Sequence, residues 1–424
     1  MIRAVAGQHP TARVVCSRRT TACLRVAATM WALLGEGPGG AQIAAMAEPL
    51  EAPRFDDHEV ATLVEQAIGA RAFPGAALAA GTAQGPVWSA GYGHLDYDQR
   101  REVAADTIYD LASLTKVAGT TAVLMRLTAL DRCDPAQPLA AALPPLPAAV
   151  LQGDPDHDLR RWRESVTLDQ LLRHRGGLPS WRPFHRTAQG AEALRTALAL
   201  EPPEESPGAR YRYSDPGFMW LGEAAAGLGG RPLAELEREL LWQPLEMNRT
   251  IREVPRRWRR ATAPTERRLD GGRGYWHGVV HDENARAGEG QTGHAGLFST
   301  ADDLARLAAE LLRGHQGRSR LFPREVVRHY TRPTGANDRH ALGWQLHRGR
   351  AGDNDGGMLS TGSFGHYGFT GTALWIDPQR GVYVVMLTNR VHPDRGGGGW
   401  GRSRGGIIDA VLRELDRLAA AAVK

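Results

Sequence analysis

The sequence predicts an α+β fold: an antiparallel sheet built from the N- and C-terminal segments, flanked by helices, with a mostly helical part inserted between them. Three observations predict it. Short apolar runs separated by Gly-bearing turns occur at 76–93 and again at 372–388; paired runs of this kind read as β-hairpins. From Val117 to Tyr330 apolar residues recur at helical spacing, with Pro and Gly marking the loops. Residues 406–421 then put Ile407, Ile408, Val411, Leu412, Leu415 and Leu418 on one face of a terminal helix.

The first fifty residues stand apart. Arg18 and Arg19 precede an apolar run from Val26 to Leu34, and small residues end in Ala45-Met46-Ala47. Basic, apolar, then small is the order of a secretory signal, so 1–50 is expected to be a leader and the protein exported, periplasmic or extracellular. A leader that is not a signal would leave the chain in the cytoplasm. The remainder, 51–424, reads as a single domain. Its α/β part is 51–112 and 335–424, and its helical part is 113–334.

Within that domain, 56–70 forms an amphipathic pattern through Val60, Leu63, Val64 and Ala67. A hairpin follows, Ala76–Ala80 and Val87–Gly93. The helical part holds candidate helices at 168–174, 191–200, 217–226, 233–241, 301–313 and 324–330. Leu342–Leu346 is a candidate strand. Thr372–Ile376 and Gly381–Thr388 flank a turn and make a second hairpin.

Composition excludes several functions. A chain of 424 residues with 42% hydrophobic and 23% charged residues has the makings of a large core. The net charge of +5 comes from arginines scattered among acids. No basic tract alternates with aromatics, which speaks against nucleic acid. No run of 18 apolar residues predicts an integral membrane span. Of three cysteines, Cys16 and Cys23 lie in the leader, so neither a disulfide framework nor a cysteine zinc site follows.

The chemistry starts at Ser113-Leu-Thr-Lys116. On a helix, residues three apart share a face, so the Lys116 amine reaches the Ser113 hydroxyl. The positive end of a helix favours an oxyanion there. A serine activated by a neighbouring base is a nucleophile. Tyr213-Ser-Asp215 opens a second predicted helix. A phenol beside the Lys116 ammonium is expected to have a lowered pKa and to serve as a base. Ser214 or Asp215 would cap the helix. The third stretch, His366-Tyr-Gly368-Phe369, leads onto a predicted strand, where backbone N–H groups can face an oxyanion and an extended substrate. His366 is expected to donate a hydrogen bond or to tune Lys116.

His281, Asp282, Glu283 and His294 have a metal-site composition, but their spacing matches no H-E-x-x-H pattern. They are read as a cleft-wall loop before a helix capped near Thr300, with no metal and no cofactor. His174, in Leu171–Pro179, is read as ordering a loop beside the cleft.

Together these motifs resemble the serine β-lactamase and penicillin-binding-protein superfamily, in its class C-like branch. Ser113-Leu-Thr-Lys116 matches the first motif of that branch. Tyr213-Ser-Asp215 matches its Tyr-x-Asn motif, with Asp for Asn. His366-Tyr-Gly368 matches the third, with His for Lys. The resemblance covers roughly residues 55–420 and implies the β-lactamase/transpeptidase-like fold.

It also implies acyl transfer through a covalent acyl-enzyme. Ser113 would attack a carbonyl, with Lys116 and Tyr213 handling the proton as a coupled pair. The N–H groups of Ser113 and Phe369 would hold the oxyanion. Asp215, His366 and Gly368 would line the pocket and orient a small-molecule or peptide substrate. The two departures, Asp215 and His366, point toward an esterase or a peptidase of D-amino-acid or peptidoglycan-derived substrates. A β-lactamase proper and a catalytically silent binding or sensor module are the alternatives.

Overall fold

The computed structural model describes residues 54–98, 100–146, 150, 158–335, 338–349, 355–396 and 398–422. The expected leader, 1–50, lies outside them. The central element is a six-stranded antiparallel sheet in the order β2-β1-β8-β7-β6-β5. Its strands are β1 (Gly75–Thr82), β2 (Gly85–Gly93), β5 (Gln345–Leu346), β6 (Phe364–Gly368), β7 (Thr372–Asp377) and β8 (Val382–Thr388). A separate two-stranded pairing joins β3 (Tyr109–Asp110) to β4 (Phe298–Ser299).

The ends of the domain meet in the middle of the sheet. β1 pairs with β8 from Ala76 opposite Thr388 to Thr82 opposite Val382. The period of two along a strand sends alternate side chains to opposite faces. Ala77 and Ala79 of β1, with Tyr383, Val385 and Leu387 of β8, face the helical part. Ala76, Leu78 and Ala80, with Val384 and Met386, face the opposite layer. Both faces are covered, which is why β1 is made of small apolar residues without polar alternation.

The outer layer pairs the helix His58–Gly69 with the C-terminal helix Trp400–Ala422. On the other face lies Ala301–His315, whose Leu304, Leu307, Ala308 and Leu311 are buried against the sheet. Its N-cap is Thr300, whose hydroxyl accepts the Asp303 N–H. Among the described residues no helix is long and apolar enough to cross a membrane.

Three local expectations are corrected. The strand expected at 342–346 is reduced to Gln345–Leu346, because Leu342 N–H bonds the Tyr330 carbonyl and Gly343 N–H the Leu172 carbonyl, away from the sheet. The stretch at 364–368 is itself a strand, paired with β7 from Phe364 opposite Ile376 to Gly368 opposite Thr372. The helix expected after Ser113 starts as a 3₁₀ turn, Ala112–Leu114, and continues as a π-helical segment, Lys116–Thr121. It becomes α-helical at Ala122.

One buried ion pair fastens the helical part. Arg252 grips Glu237 through Nε at 2.6 Å and Nη2 at 2.7 Å, and neither side chain is more than marginally exposed. Arg252 Nη1 also donates to the carbonyls of Gly290 and Thr292. The pair therefore holds the 290–296 loop. Arg252→Met would leave the Glu237 carboxylate buried without its partner and is expected to cost about 3–5 kcal/mol. Denaturant unfolding measures this. Adding Glu237→Gln should recover part of the loss.

Candidate active site

The segment carrying Ser113 is braced on every side. Leu111 N–H donates to the Leu297 carbonyl at 2.9 Å. The Thr370 and Thr372 hydroxyls donate to the carbonyls of Asp110 and Leu111, at 2.7 and 2.9 Å. The Asp110 carboxylate accepts the Ala112 N–H at 2.8 Å and the His281 N–H at 2.7 Å. Burial raises the Asp110 pKa while those two donors oppose it. Ala112 takes a positive φ of 45°, a conformation that a non-glycine residue keeps only when its surroundings hold it.

Lys116 lies one helical turn beyond Ser113 and is fully buried. Its ammonium makes three hydrogen bonds: to Ser113 Oγ at 3.0 Å, to Asp215 Oδ1 at 2.7 Å and to the His294 carbonyl at 3.1 Å. Burial acts to lower its pKa, but the charge of Asp215 and then Tyr213 outweigh burial and raise it. The nitrogen also lies 5.0 Å from the centre of the Tyr213 ring.

Tyr213 and Asp215 flank a helix start. Ser214 is the N-cap, its hydroxyl accepting the Gly217 N–H, and Pro216 occupies the first turn. The expected cap is present at Ser214, and the side chains on either side of it lie beside Lys116. His174 fixes the turn from below. Its ring lies 4.4 Å from that of Tyr213, and its Nδ1 accepts the Ser214 N–H.

One expectation is corrected here. The Tyr213 pKa is raised, not lowered, because burial outweighs the Lys116 ammonium and Asp215 adds to the rise. Asp215, expected to line the pocket, pairs with Lys116 at 2.7 Å.

β6 forms the opposite wall. His366 is buried and its Nδ1 bonds the Tyr367 carbonyl at 2.7 Å. Its Nε2 is buried without a partner. Burial, then the Lys116 charge, lower its pKa to about 3, so it is uncharged near neutral pH. Gly368 packs so closely on the Ser113 segment that a Cβ there would overlap Thr372 Oγ1 and the Leu111 carbonyl. Phe369 follows, half exposed. Ser113, Tyr213, His366, Gly368 and Phe369 all border one cleft of about 780 Å³.

The acidic and histidine stretch at 281–294 lies behind the site. His281 Nε2 bonds Glu266 at 2.8 Å, and His294 Nε2 bonds Asp282 at 2.9 Å. Asp282 also caps the helix Glu283–Ala287. Asp110, Thr370 and Thr372 had no expected role. Asp110 stands directly before the Ser113 segment, and the threonines directly after His366-Tyr-Gly. Their pairing across 260 or 261 positions has no local signal. His340, whose ring lies 4.9 Å from His174, was missed too.

This fold agrees with the comparisons. The Beta-lactamase family model matches residues 60–404, and the chain belongs to that family. It is 29% identical over 363 residues to an N-acetylmuramyl-L-alanine amidase of Bacillus subtilis (strain 168), covering 79% of this chain and 81% of the relative. Among solved structures, a beta-lactamase/D-alanine carboxypeptidase of Pseudomonas syringae superposes with a TM-score of 0.64 at 19% identity, covering 84% and 98% of the chains. EstCE1, a hydrolase with promiscuous acyltransferase activity, gives 0.63 at 20%, covering 83% and 97%. The protein is a β-lactamase-related serine hydrolase.

The histidines around Tyr213 set an acid limit to stability. His174, His340 and His366 all have depressed pKa values, burial being the first cause of each. Unfolded histidines take up protons below about pH 6.5, whereas these do so only at much lower pH. The unfolded state then binds more protons, so stability falls as pH drops below about 6.5, by up to about 1.4 kcal/mol per pH unit for each such histidine. Unfolding free energies at pH 7 and pH 5 measure the slope, and His340→Leu is expected to flatten it.

Proposed function

We propose that Ser113 is the nucleophile of a hydrolase acting on small esters, amides, or D-amino-acid and peptidoglycan-derived peptides. The observation that carries this is the Ser113 hydroxyl at 3.0 Å from a fully buried lysine ammonium, bordering an open cleft. The amidase named among the relatives supports the peptidoglycan-derived class. The same relative and the leader pattern support an exported form comprising 51–424.

Ser113 Oγ attacks the substrate carbonyl carbon while its proton passes to the Lys116–Tyr213 pair. The backbone N–H groups of Ser113 and Phe369 receive the oxyanion. The tetrahedral intermediate collapses, and the leaving group takes the proton from the pair. Water then attacks the acyl-enzyme, gives a proton to the same pair, and Ser113 Oγ is reprotonated as the acid departs. Asp215 and His366 act as positioning residues, the first through Lys116 and the second from the cleft wall.

Both members of the proton-handling pair are raised in pKa and are protonated at neutral pH in the resting protein. Acylation therefore draws on the fraction of molecules in which the pair has lost one proton. The pair titrates as a unit and gives the rate profile an acid limb.

Two predictions follow from these roles. Ser113→Ala should abolish covalent labelling by a fluorophosphonate or a fluorescent penicillin, and with it turnover of para-nitrophenyl acetate. Wild-type protein that is folded yet neither labels nor turns over ester would sink the reading. Asp215 raises the pKa of Lys116 and of Tyr213. Asp215→Asn should move the acid limb of kcat/KM to lower pH, by about one unit or more. An unmoved limb would separate Asp215 from the proton-handling pair.

A further inference from the structure

Three aromatic rings border the cleft beside Ser113 at nearly equal separations. Centre to centre, Tyr213 and His366 lie 6.0 Å apart, His366 and His340 5.8 Å, and Tyr213 and His340 6.1 Å. The chemistry derived above uses the first two. His340 has no part in it, yet it is buried, and among the described residues neither of its ring nitrogens has a hydrogen-bond partner. A buried polar group of this kind calls for a partner.

The backbone fixes the tautomers on either side of His340. His174 Nδ1 accepts the Ser214 N–H at 3.1 Å, so its Nε2 carries the hydrogen. His366 Nδ1 donates to the Tyr367 carbonyl at 2.7 Å, so its Nε2 is an acceptor. Both Nε2 atoms are buried and without a partner among the described residues. The His340 ring lies 4.9 Å from that of His174 and 5.8 Å from that of His366. A neutral imidazole has one donor and one acceptor nitrogen, so His340 can accept toward the first and donate toward the second. Burial lowers the pKa of all three, which keeps them neutral near pH 7.

The side chain of His340 is held in place. Its backbone bridges to Gln345. The Ala341 N–H bonds the Trp344 carbonyl at 2.8 Å, and the Leu342 N–H bonds the Tyr330 carbonyl at 3.0 Å. The ring stacks on Tyr211, with centres 5.4 Å apart and planes 22° from parallel.

The spacing suits one small molecule. A water bonded to an imidazole nitrogen lies roughly 4 Å from the ring centre, so a triangle of this size is one that a single water spans. Water also matches the donors and acceptors. Its oxygen can accept from His340 and keep a lone pair for the acyl carbon. One hydrogen can go to His366 Nε2 and the other to the Lys116–Tyr213 pair. An alcohol has a single hydroxyl hydrogen, which the pair must take, so His366 Nε2 would stay unpaired at a cost.

We propose that His340 is a catalytic residue of the second half-reaction: with His366 it holds the water that attacks the acyl-enzyme, and so favours hydrolysis over transfer of the acyl group to an alcohol. This rests on Ser113 being the nucleophile. The bond formed joins the water oxygen to the acyl carbon, and the bond broken joins that carbon to Ser113 Oγ. The proton that leaves the water passes to the Lys116–Tyr213 pair and from it to Oγ. Neither histidine changes its protonation state.

The fate of the acyl-enzyme tests the proposal. Para-nitrophenyl butyrate is turned over in aqueous methanol, and methyl butyrate and butyrate are measured with the enzyme-free reaction subtracted. Their ratio is set after acylation, so slower acylation or a smaller folded fraction does not move it. His340→Leu is expected to raise the ratio of methyl ester to acid by about 10-fold, the scale of one hydrogen bond. His340→Phe, which keeps a ring against Tyr211, should do the same, and His340→Gln, which keeps a donor, should bring the ratio part of the way back. In rapid mixing without methanol, His340→Leu should release para-nitrophenol in a burst close to one per labelled Ser113, because deacylation then limits turnover. A ratio that His340→Leu and His340→Phe leave unmoved, whatever happens to kcat, overturns the role of His340 while normal labelling of Ser113 keeps the nucleophile assignment. Folded wild-type protein that fails to label at Ser113 overturns that assignment, and this proposal with it.

Discussion

A lysine ammonium with no exposed surface is the constraint on which this site depends. Taking such an ion out of water costs several kcal/mol unless its charge and its three donors are met. Here Ser113, Asp215 and His294 meet them. Asp215 lies 99 positions along the chain and the His294 carbonyl 178 positions along. One charge thus fixes the relative placement of three segments, and each has its own support. Ser214 caps the helix that presents Asp215. The Glu237–Arg252 pair holds the loop that presents His294. Asp110 and two threonines hold the turn that presents Ser113.

The same arrangement explains the resting chemistry. Asp215 stabilises the lysine as a cation and, by its negative charge, discourages ionisation of Tyr213. Both groups are therefore held protonated near neutral pH. His366 and His340, stripped of charge by burial, keep the surroundings of that ammonium free of competing cations. The cleft border itself carries four arginines, Arg339, Arg348, Arg390 and Arg404.

Much of the fold was legible in the sequence because its strongest signals are local. The hairpins at 75–93 and 372–388, the helix at 301–315 and the terminal helix are periodic patterns bounded by turn residues. The π-helical turn after Lys116 was not legible, since nothing in Lys116–Thr121 distinguishes it from an α-helix. Nor was the reduction of 342–346 to two strand residues, which follows from hydrogen bonds to Tyr330 and Leu172. At the site, the spacing of Ser113 and Lys116 foretold their contact. The direction of the Tyr213 pKa was misjudged because depth of burial is a property of the folded chain. The Asp215–Lys116 ion pair was not legible either, because a three-residue motif does not say which way each side chain points.

The pairing of β1 with β8 has a consequence for how the protein comes to be folded. The hairpin made first and the strand made near the end are hydrogen-bonded neighbours, so the sheet has no complete centre until most of the chain exists. Until then β1 offers an open edge, and the apolar faces on both sides of it lack their cover. Long-range pairing of this kind slows folding and prolongs exposure of sticky surface. A chain released only in part therefore holds its N-terminal hairpin without its central partner until residues 382–388 emerge.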